Sequence, residues 1–285
     1  MKKFISLTLS AFMLLCLCAC ADNGAPSETA QPTKSPEPVT YTKEDGRLKM
    51  EVSYNPNGLL FSTLIYEYDD DGRLVKEVQF GVNDVPVGYE SYEYDDKDRK
   101  SLMVSYLSDG DKDYSEDYRT SYEYNKDDEL VKAVSTRGEK TESVTEYKYK
   151  NGLCVSETNY DGKSFALSEY RYEYNENKQK TRCVRIDNIE GDTTENRYTY
   201  TSNGLLLADL SYGDNGKVIS RTEYSYDDKD NAIKLSVYTA KGELISSTSN
   251  GYTYDEYGNI KQCAVTHSDG SKGTTTKYKW EYGKG

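Results

Sequence analysis

The 285-residue chain has little of what most enzymes and nucleic-acid-binding proteins depend on. It contains one histidine, one tryptophan and five phenylalanines, and its 36 Lys and Arg residues are outnumbered by 49 Asp and Glu, for a formal net charge of −13. Phosphate binding needs clustered Lys and Arg, so this acidic balance argues against nucleic acid as a partner and against adsorption to anionic lipid.

Aliphatic side chains are also scarce. Past the first nineteen residues, Leu, Ile, Val and Phe make up roughly a sixth of the chain, a level at which disorder is the default expectation. The 29 tyrosines reverse that expectation, because a tyrosine ring buries a large apolar area while its hydroxyl stays in contact with water. The composition therefore predicts an aromatic-rich fold with a large surface.

The N-terminus has the pattern of an export signal. Lys2 and Lys3 precede a mostly apolar run over residues 4–17, which is too short for a permanent membrane span. The run ends in Leu17-Cys18-Ala19-Cys20, which resembles the lipobox of bacterial lipoproteins. That resemblance implies cleavage before Cys20, diacylation of its thiol, and stable anchoring by two or three acyl chains. The alternative is an ordinary secreted protein.

The next segment is typical of a tether. Residues 20–40 would hold the lipidated Cys20 and a stretch rich in Pro, Ser, Thr and Glu without apolar periodicity, which favours an extended, disordered chain. We therefore expect a signal peptide over residues 1–19, a tether over 20–40 and a folded domain over 41–285. This places the protein on the extracytoplasmic face of a cell membrane, in either a Gram-positive or a Gram-negative host.

The folded domain is one repeat. Pairs of aromatic residues separated by one position recur along it, and eight repeats cover Tyr68 to Tyr282, which is about 27 residues each. The pairs are Tyr66/Tyr68, Tyr92/Tyr94, Tyr122/Tyr124, Tyr147/Tyr149, Tyr172/Tyr174, Tyr198/Tyr200, Tyr224/Tyr226, Tyr252/Tyr254 and Trp280/Tyr282.

Turn residues after each pair predict that every unit is two strands. In Asp69-Asp70-Asp71-Gly72 a type I turn with Gly72 in the left-handed region gives a three-residue hairpin loop that pairs Asp69 with Arg73 and Tyr68 with Leu74. Continuing outward without interruption pairs Tyr66 with Lys76. This register places the tyrosines and the following aliphatic residues on one face of the sheet.

The segment Tyr66-Glu67-Tyr68-Asp69-Asp70-Asp71-Gly72-Arg73-Leu74 resembles the YD-repeat motif of RHS proteins, Tyr-x-Tyr-Asp-x-x-Gly-Arg-Leu. The resemblance covers residues 41–285, is specific in only a few units, and has a longer period than the roughly 20 residues of the family. It implies a long coiling array of β-hairpins, which forms a shell around a toxin in the largest members, and an association with carbohydrate or cell-surface binding. Neither a toxin domain nor the core that follows the shell is visible in this sequence.

These observations predict an all-β fold: tandem antiparallel hairpins forming one long twisted or curled sheet of about 18 strands. An apolar face that wide cannot stay bare, so the sheet should curl on itself, and whether it stays open or closes is left undecided. Cys154, Cys183 and Cys263 have no metal-ligand spacing. We expect three free thiols, with Cys183 and Cys263 on the outward face.

The sequence offers few candidate catalytic or metal-binding residues, and we expect no cofactor. His267, the only histidine, lies in a turn sequence, and no strand-turn-helix nucleophile accompanies it. Asp109, Asp111 and Asp113 alternate as in a calcium loop, but Tyr114 stands where such a loop has glycine. These three aspartates are a candidate metal site, and a solvated acidic loop is the alternative. The uniform repeats offer no place for a unique active site, so we expect no enzyme.

The tyrosine rows are the candidate ligand-binding surface. Ring faces stack on the C–H surfaces of sugars and carboxylates accept sugar hydroxyls, although cross-strand tyrosine pairs also stabilise a sheet with few aliphatic residues. The candidate ligand-binding residues are Tyr66, Tyr68, Tyr92, Tyr94, Tyr122, Tyr124, Tyr172 and Tyr174. One hypothesis is a surface-anchored binding protein for a glycan or surface protein, held in the membrane by lipid on Cys20. The other is a structural or assembly module related to RHS-type toxin and cell-surface systems.

Overall fold

The computed structural model describes residues 46–110 and 113–282, and nearly all of them belong to β-strands. The predicted signal peptide, Cys20 and the tether lie outside the described residues. The strands are β1 (Arg47–Tyr54), β2 (Leu60–Tyr68), β3 (Leu74–Phe80), β4 (Pro86–Tyr94), β5 (Lys100–Ser108), β6 (Tyr114–Tyr124), β7 (Leu130–Arg137), β8 (Lys140–Lys150), β9 (Leu153–Asp161), β10 (Ala166–Tyr174), β11 (Lys180–Asp187), β12 (Thr193–Tyr200), β13 (Leu206–Tyr212), β14 (Val218–Tyr226), β15 (Ala232–Thr239), β16 (Leu244–Tyr254), β17 (Ile260–His267) and β18 (Lys272–Glu281).

Helix is almost absent from the described part of the chain, where a single 3-10 turn spans Val82–Asp84. No helix within residues 46–110 and 113–282 is long and apolar enough to cross a membrane. Within the 3-10 turn, Asn83 has a φ of +60°, outside the range of a right-handed helix.

The 18 strands form one closed antiparallel barrel. Each strand pairs with its neighbours in the chain, and β1 pairs with both β2 and β18. The predicted all-β fold with 18 strands is confirmed, and the sheet is closed. Closure leaves no unpaired strand edge, which removes the template for aggregation that an open array of hairpins would present. At about 4.8 Å per strand and a tilt of about 40°, such a barrel is roughly 35 Å across.

The predicted hairpin turns are confirmed. Asp69 N–H donates to Arg73 O at 3.0 Å, Gly72 N–H donates to Asp69 O at 3.0 Å, and Gly72 has a φ of +86°. The Asp69 carboxylate adds a cap, because its Oδ1 accepts Arg73 N–H at 2.8 Å and its Oδ2 accepts Arg73 Nε at 2.8 Å. The sequence therefore fixes the turns locally, through the side chain that opens each loop.

A β-bulge beside each turn overturns the predicted pairing further along the strand. Tyr68 faces Leu74 as predicted, but the register shifts between Glu67 and Tyr68, and Tyr66 faces Glu77 rather than Lys76. One extra residue on the second strand flips every later side chain to the opposite face. The same shift recurs before Tyr54, Tyr94, Tyr124, Tyr149, Tyr174, Tyr200, Tyr226 and Tyr254.

The bulge also moves two of the cysteines. Cys183 pairs with Tyr172 and Cys263 pairs with Tyr252, so both lie on the tyrosine face rather than on the outward face as predicted. Cys154, Cys183 and Cys263 are all free thiols, as predicted.

The tyrosine face is the inner face of the barrel. It carries polar groups that are almost completely buried, such as Glu157 at 3% exposure and Tyr172 at 7%, whereas Glu67, Arg171 and Glu173 on the opposite face are exposed. Side chains converge on the concave side of a closed sheet, so the crowded face must point inward. The outer wall is charged, and the inner wall is lined by tyrosines and carboxyl groups.

The barrel has two different rims. Turns that follow the even-numbered strands lie at one rim together with both ends of the described chain, Gly46 and Tyr282; we call it the terminal rim. Turns that follow the odd-numbered strands lie at the opposite rim, which we call the distal rim. A strand of eight residues is roughly 27 Å long, so at a tilt of about 40° the rims lie roughly 20 Å apart.

Candidate functional site

One aromatic residue of most pairs ties its hairpin to the preceding strand; it is the second residue in six pairs and the first in the last two. Its side chain donates a hydrogen bond to a backbone carbonyl near the start of that strand. The bonds are Tyr68 to Leu48 (2.9 Å), Tyr94 to Leu74 (2.8 Å), Tyr124 to Lys100 (2.8 Å), Tyr174 to Cys154 (2.6 Å), Tyr200 to Lys180 (2.6 Å), Tyr226 to Leu206 (2.8 Å), Tyr252 to Ala232 (2.8 Å) and, through the indole Nε1, Trp280 to Ile260 (2.8 Å).

These ties span gaps that no turn spans. At the terminal rim, turns join β2 to β3 and β4 to β5, while β3 and β4 meet there without a connection; the Tyr94 hydroxyl bridges that junction. Tyr149 is the exception, since its buried hydroxyl has no hydrogen-bond partner. The connection between β7 and β8 is only two residues long, and this shorter unit brings no carbonyl within reach.

The first tyrosine of several pairs contacts an inward carboxyl group. Tyr66 Oη donates to Glu51 Oε1 at 2.9 Å, Tyr92 Oη to Glu90 Oε2 at 2.7 Å and Tyr172 Oη to Glu157 Oε2 at 3.2 Å. In the fourth candidate pair, Tyr122 Oη lies 4.0 Å from Met103 Sδ. Burial, followed by the charge of the neighbouring carboxylate, raises the pKa of the Tyr66 and Tyr92 hydroxyls.

Lysines cover two of the candidate rings. Lys100 Nζ lies 3.9 Å from the ring centroid of Tyr92, and Lys180 Nζ lies 3.9 Å from that of Tyr172. Burial lowers the pKa of both lysines, and their position over the rings is a cation–π contact that favours the charged form. The structure thus gives the eight candidate tyrosines hydrogen-bond partners or ring contacts within the wall, while their role toward a ligand stays a prediction.

Glu77 is the most strongly perturbed carboxyl group of the inner wall. Burial, followed by the charges of Glu90 and Glu51, raises its pKa from 4.5 to about 7, and Lys100 opposes the shift. Burial also raises the pKa of Glu51. Glu51 and Glu90 come from strands on either side of β3, so the concave wall brings like charges together.

This cluster predicts a pH-dependent stability. The folded pKa of Glu77 lies above its unfolded value, so the fold binds a proton more tightly than the unfolded chain does; the contribution of Glu77 to stability is full below about pH 4.5 and is lost as pH rises through 7. We expect the free energy of unfolding to fall by about 1 to 2 kcal/mol between pH 5 and pH 8, less than the full shift implies because Glu77 is only half-buried. Urea titrations across that range measure it.

Glu77→Gln is expected to flatten that slope, because the variant has no proton to lose. Glu67→Gln, on the outer face of the adjacent strand, serves as the control and should keep the wild-type slope. Equal slopes for wild type and Glu77→Gln would contradict the assignment to Glu77.

The candidate calcium loop is only partly described. Asp109 N–H donates to Asp113 O at 3.2 Å across the β5–β6 turn, and Asp111 lies outside the described residues. No group of three or more His, Cys, Asp or Glu residues within 46–110 and 113–282 is arranged to hold a metal ion. His267 ends β17, where its N–H donates to Ser271 O at 2.9 Å and closes the last distal turn.

A cavity of about 450 Å³ lies at the terminal rim near the seam where β18 meets β1. We call it the seam pocket. It is lined by Tyr254, Asp255, Glu256, Lys261, Tyr278, Lys279, Trp280 and Tyr282. Its volume is in the range of small-ligand sites. The chain enters the barrel beside it, because a Cβ on Gly46 would lie 2.6 Å from Cε1 of Tyr282.

Hydrogen bonds hold the aromatic and acidic groups of the seam pocket in place. Tyr282 Oη donates to Asp255 Oδ2, and Asn259 Nδ2 donates to Tyr282 Oη at 3.2 Å. Tyr257 packs on Tyr282 with ring centroids 4.3 Å apart. The indole of Trp280 is fixed by its bond to Ile260 O. The pocket is therefore a preorganised set of rings beside a carboxylate.

Asp255 stays ionised. Burial acts to raise its pKa, but hydrogen bonds from Tyr282 Oη and from the backbone N–H groups of Asn259 and Tyr257 outweigh burial and lower the pKa. Burial and the contact with Asp255 raise the pKa of Tyr282 to about 12. The carboxylate is an acceptor and the phenol a donor at neutral pH.

Sequence reasoning did not single out the seam pocket. Trp280 and Tyr282 were recognised as the last pair of the series, but not as site residues. The available signal was the replacement of the first tyrosine of the last pair by the only tryptophan of the chain. Its place at the ring seam follows from closure of the barrel.

The class that the fold defines is a closed, 18-stranded antiparallel barrel of hairpin repeats. No protein-family model matches the chain. No curated protein matches it at a significant level.

Solved structures similar to this chain include two kinds of protein. One is porin-like: a protein from Bacteroides uniformis at 16% identity and a TM-score of 0.44, covering 86% of this chain and 100% of that one, and a protein from Bacteroides vulgatus at 11% identity and 0.37, covering 83% and 99%. The other comprises Tc toxin components, including TcdB2-TccC3 at 14% identity and a TM-score of 0.30, covering 80% of this chain. This chain spans 16% of that neighbour's length. At such identities the likeness concerns general architecture alone.

Proposed function

We propose that this protein is a lipid-anchored, non-enzymatic binding protein on the extracytoplasmic face of the cell membrane, and that it binds a glycan in the seam pocket. The observation that carries the proposal is the combination, in one cavity, of the Trp280 and Tyr282 rings with the ionised Asp255. Aromatic faces pack on the apolar C–H surface of a sugar. A fixed carboxylate accepts its hydroxyls in charge-assisted hydrogen bonds.

The chemistry of the pocket favours a neutral or amino-bearing sugar over an acidic one. Asp255 is half-buried and fixed by hydrogen bonds, whereas the charges of Glu256, Lys261 and Lys279 are exposed and screened by solvent. The net charge of the chain, −13, further disfavours polyanionic glycans. The seam pocket lies at the rim where the chain enters the barrel, so the predicted tether would present it toward the cell envelope.

Tryptophan fluorescence tests the proposal, because Trp280 is the only tryptophan of the chain. The probe is the mature chain with Cys20→Ser, titrated with neutral, amino-bearing and acidic oligosaccharides after a glycan array has selected hits. We expect a saturable change in emission with the neutral or amino-bearing sugars. Trp280→Tyr, measured by isothermal titration calorimetry because this variant has no tryptophan, should weaken binding about tenfold while keeping a donor for Ile260 O.

The carboxylate is tested separately. Asp255→Asn should also weaken binding, because an amide is a poorer acceptor for sugar hydroxyls. Asp95→Asn is the matched control: Asp95 opens the equivalent turn after β4, where its Oδ1 accepts the backbone N–H groups of Lys97 and Arg99, each at 2.9 Å. A blank array on folded protein, or equal losses in both variants, would contradict glycan binding at the seam pocket.

Lipid attachment is expected to depend on Cys20 alone. Cells expressing the full chain should incorporate labelled palmitate into the protein, and Cys20→Ser should abolish that labelling and release the protein from the membrane fraction. Cys18→Ser is the control, since Cys18 would leave with the signal peptide. Undiminished labelling of the Cys20→Ser variant would refute the anchor.

A structural or assembly role is the second candidate. It is favoured by the engagement of the second-tyrosine hydroxyls in ties between hairpins, which makes the aromatic rows part of the scaffold. This role predicts a blank glycan array together with loss of an assembly phenotype when the gene is deleted.

A further inference from the structure

The seam pocket contains a set of three hydrogen-bonded side chains that a neighbouring unit repeats. In that unit, Tyr254 Oη donates to Asp227 Oδ2 at 2.9 Å, and Asn231 Nδ2 donates to Tyr254 Oη at 2.8 Å. The same two bonds, made by equivalent atoms, connect the three residues of the seam pocket. We call these sets the seam triad (Tyr282, Asp255 and Asn259) and the second triad (Tyr254, Asp227 and Asn231).

Both triads follow from a change in the hydrogen-bond tie at the end of the series. In the last two pairs the first aromatic residue makes the tie, Tyr252 to Ala232 O and Trp280 to Ile260 O. The tie therefore does not use the second aromatic residue of these pairs. Its hydroxyl instead contacts the turn of the preceding hairpin.

The residue that ends each turn decides whether the tyrosine can contact the carboxylate. Asparagine ends the turns after β14 and β16, whereas Arg73 and Arg99 end the turns after β2 and β4. In each arginine turn the Nε atom donates to the aspartate Oδ2 at 2.8 Å. The guanidinium carbons also lie 5.1 Å and 4.5 Å from the ring centroids of Tyr94 and Tyr124. Asparagine leaves both the oxygen and the ring without a guanidinium.

The two triads have the same charge state. Burial acts to raise the pKa of Asp227, but hydrogen bonds from Asn231 and Tyr254 outweigh burial and lower the pKa, as the equivalent bonds do at Asp255. Burial and the hydrogen bond to Asp227 raise the pKa of Tyr254 to about 12, the same value as for Tyr282. At neutral pH the second triad thus holds an ionised carboxylate beside a phenol, as the seam pocket does.

We propose that the second triad is a second sugar subsite, and that the ligand is an oligosaccharide whose chain follows the terminal rim. This inference rests on the proposed binding of a glycan in the seam pocket. Tyr254 joins the two subsites, because its side chain lines the seam pocket while its hydroxyl contacts Asp227. The turns after β14 and β16 are two strands apart, roughly 10 Å. That separation is wider than one sugar ring, so only a chain of sugars can contact both triads.

Lys229 distinguishes the second subsite from the seam pocket. Its Nζ lies 3.7 Å from the ring centroid of Tyr254, and its side chain is exposed. The equivalent position in the turn after β16 is Tyr257, which packs on Tyr282. An ammonium group donates hydrogen bonds to hydroxyls. We therefore expect the second subsite to hold its sugar through Lys229 and the seam pocket to hold its sugar through ring contacts.

The turns on either side limit the length of the bound chain. The turn after β12 begins with Thr201, whose hydroxyl accepts Leu205 N–H in place of a carboxylate. Beyond the seam, Arg73 bonds the carboxylate of Asp69. The triad is therefore not continued on either side, and the gain in affinity with chain length should end once both subsites are filled.

Affinity as a function of chain length tests the second subsite. The probes are the mono-, di-, tetra- and hexasaccharides of glucose and of glucosamine, one neutral and one amino-bearing series. They are titrated into the mature chain with Cys20→Ser, and Trp280 fluorescence reports binding. We expect the tetrasaccharide of the series that binds to have about tenfold higher affinity than the monosaccharide, with no further gain for the hexasaccharide.

Asn231→Arg should remove the gain in affinity with chain length. The new guanidinium is expected to bond Asp227 Oδ2 and to cover the Tyr254 ring, as Arg73 and Arg99 do in their own turns. Because two units of the barrel already contain this arrangement, the fold should tolerate it. The variant should bind the tetrasaccharide only as tightly as the monosaccharide.

Lys229→Ala provides a second test at an exposed position, where a folding defect is not expected. It should remove part of the gain for the tetrasaccharide. Gln179→Arg is the matched control for Asn231→Arg, because Gln179 ends the equivalent turn after β10 and the change adds the same charge away from both triads. The control should keep the full dependence on chain length.

Equal affinities for the monosaccharide and the tetrasaccharide would overturn the second subsite and leave glycan binding at the seam pocket intact. So would an equal loss at every chain length in Asn231→Arg and Lys229→Ala, because these variants would then act through the seam pocket. No binding by either series at any length would contradict the proposed function itself, and the second subsite would be rejected with it.

Discussion

Replacing Gly88 with alanine is expected to lower the free energy of unfolding by about 3 kcal/mol or more. Gly88 is buried on β4 opposite Leu107. A Cβ at this position would lie 2.2 Å from the carbonyl oxygen of Tyr106 and 3.3 Å from its carbonyl carbon. A backbone atom of a paired strand cannot rotate away as a side chain can, so β4 and β5 must separate.

The register explains why glycine is needed there. A bulge between Ser105 and Tyr106 shifts β5 against β6 and bends the strand that lies against Gly88. Glycine in a strand interior often marks such a close backbone approach. Glycine lowers the stability of a strand, but no larger residue fits at position 88.

Gly251→Ala is the matched control for Gly88→Ala. Gly251 also lies within a strand, β16, but a Cβ there would come no closer than 3.8 Å to Ala264 O. The control should be neutral or stabilising by up to about 1 kcal/mol, because alanine reduces the entropy of the unfolded chain. Urea unfolding of both variants decides the matter, and equal stabilities would show that β4 and β5 do not approach as closely as described.

The triple variant Tyr94→Phe, Tyr200→Phe and Tyr226→Phe is expected to lose about 3 kcal/mol. Each change removes one hydroxyl donor and leaves a carbonyl of the preceding strand without it, at about 1 kcal/mol per bond. The Tyr94 tie lies on strands remote from the other two, so its effect should add to theirs. Tyr200 faces Leu206, whose carbonyl Tyr226 bonds, so those two effects are coupled. The phenylalanine rings keep the apolar packing, which isolates the contribution of the hydroxyl.

Tyr149→Phe is the internal control for the ties. Its buried hydroxyl has no hydrogen-bond partner, so its removal should leave stability unchanged or raise it slightly. Hydrogen exchange adds a local readout, because amides at the terminal rim should lose protection in the triple variant before those at the distal rim. A loss of stability in Tyr149→Phe equal to that of each single tie variant would contradict the role of the hydroxyl.

The hydrogen-bond ties and the seam pocket use equivalent aromatic positions of the repeat. Tyr252, like the tyrosines before it, bonds a carbonyl twenty positions earlier, and Trp280 does the same through its indole nitrogen. Replacing phenol by indole at the last tie keeps the scaffold bond and adds ring area at the seam pocket. Trp280 therefore keeps the structural hydrogen bond made by the earlier tyrosines and also offers a larger ring surface for binding.

Several features of the protein follow from the sequence by itself. The Tyr-x-Tyr spacing, with Asp69 and Gly72 at the turn, is local chemistry, because a capping carboxylate and a left-handed glycine act within five residues. The all-β class, the 18 strands and the free thiols follow from repeating that unit. These predictions hold because no long-range contact is needed to make them.

The tertiary structure alone decided the rest. The bulge beside each turn depends on how the sheet twists, and it exchanges the faces that period-2 reasoning assigned to Lys76 and Glu77. Closure depends on the accumulated curvature of all 18 strands, which brings β18 onto β1. The seam pocket exists only after closure, because Gly46 and Trp280 acquire their positions from the ring rather than from their sequence neighbours.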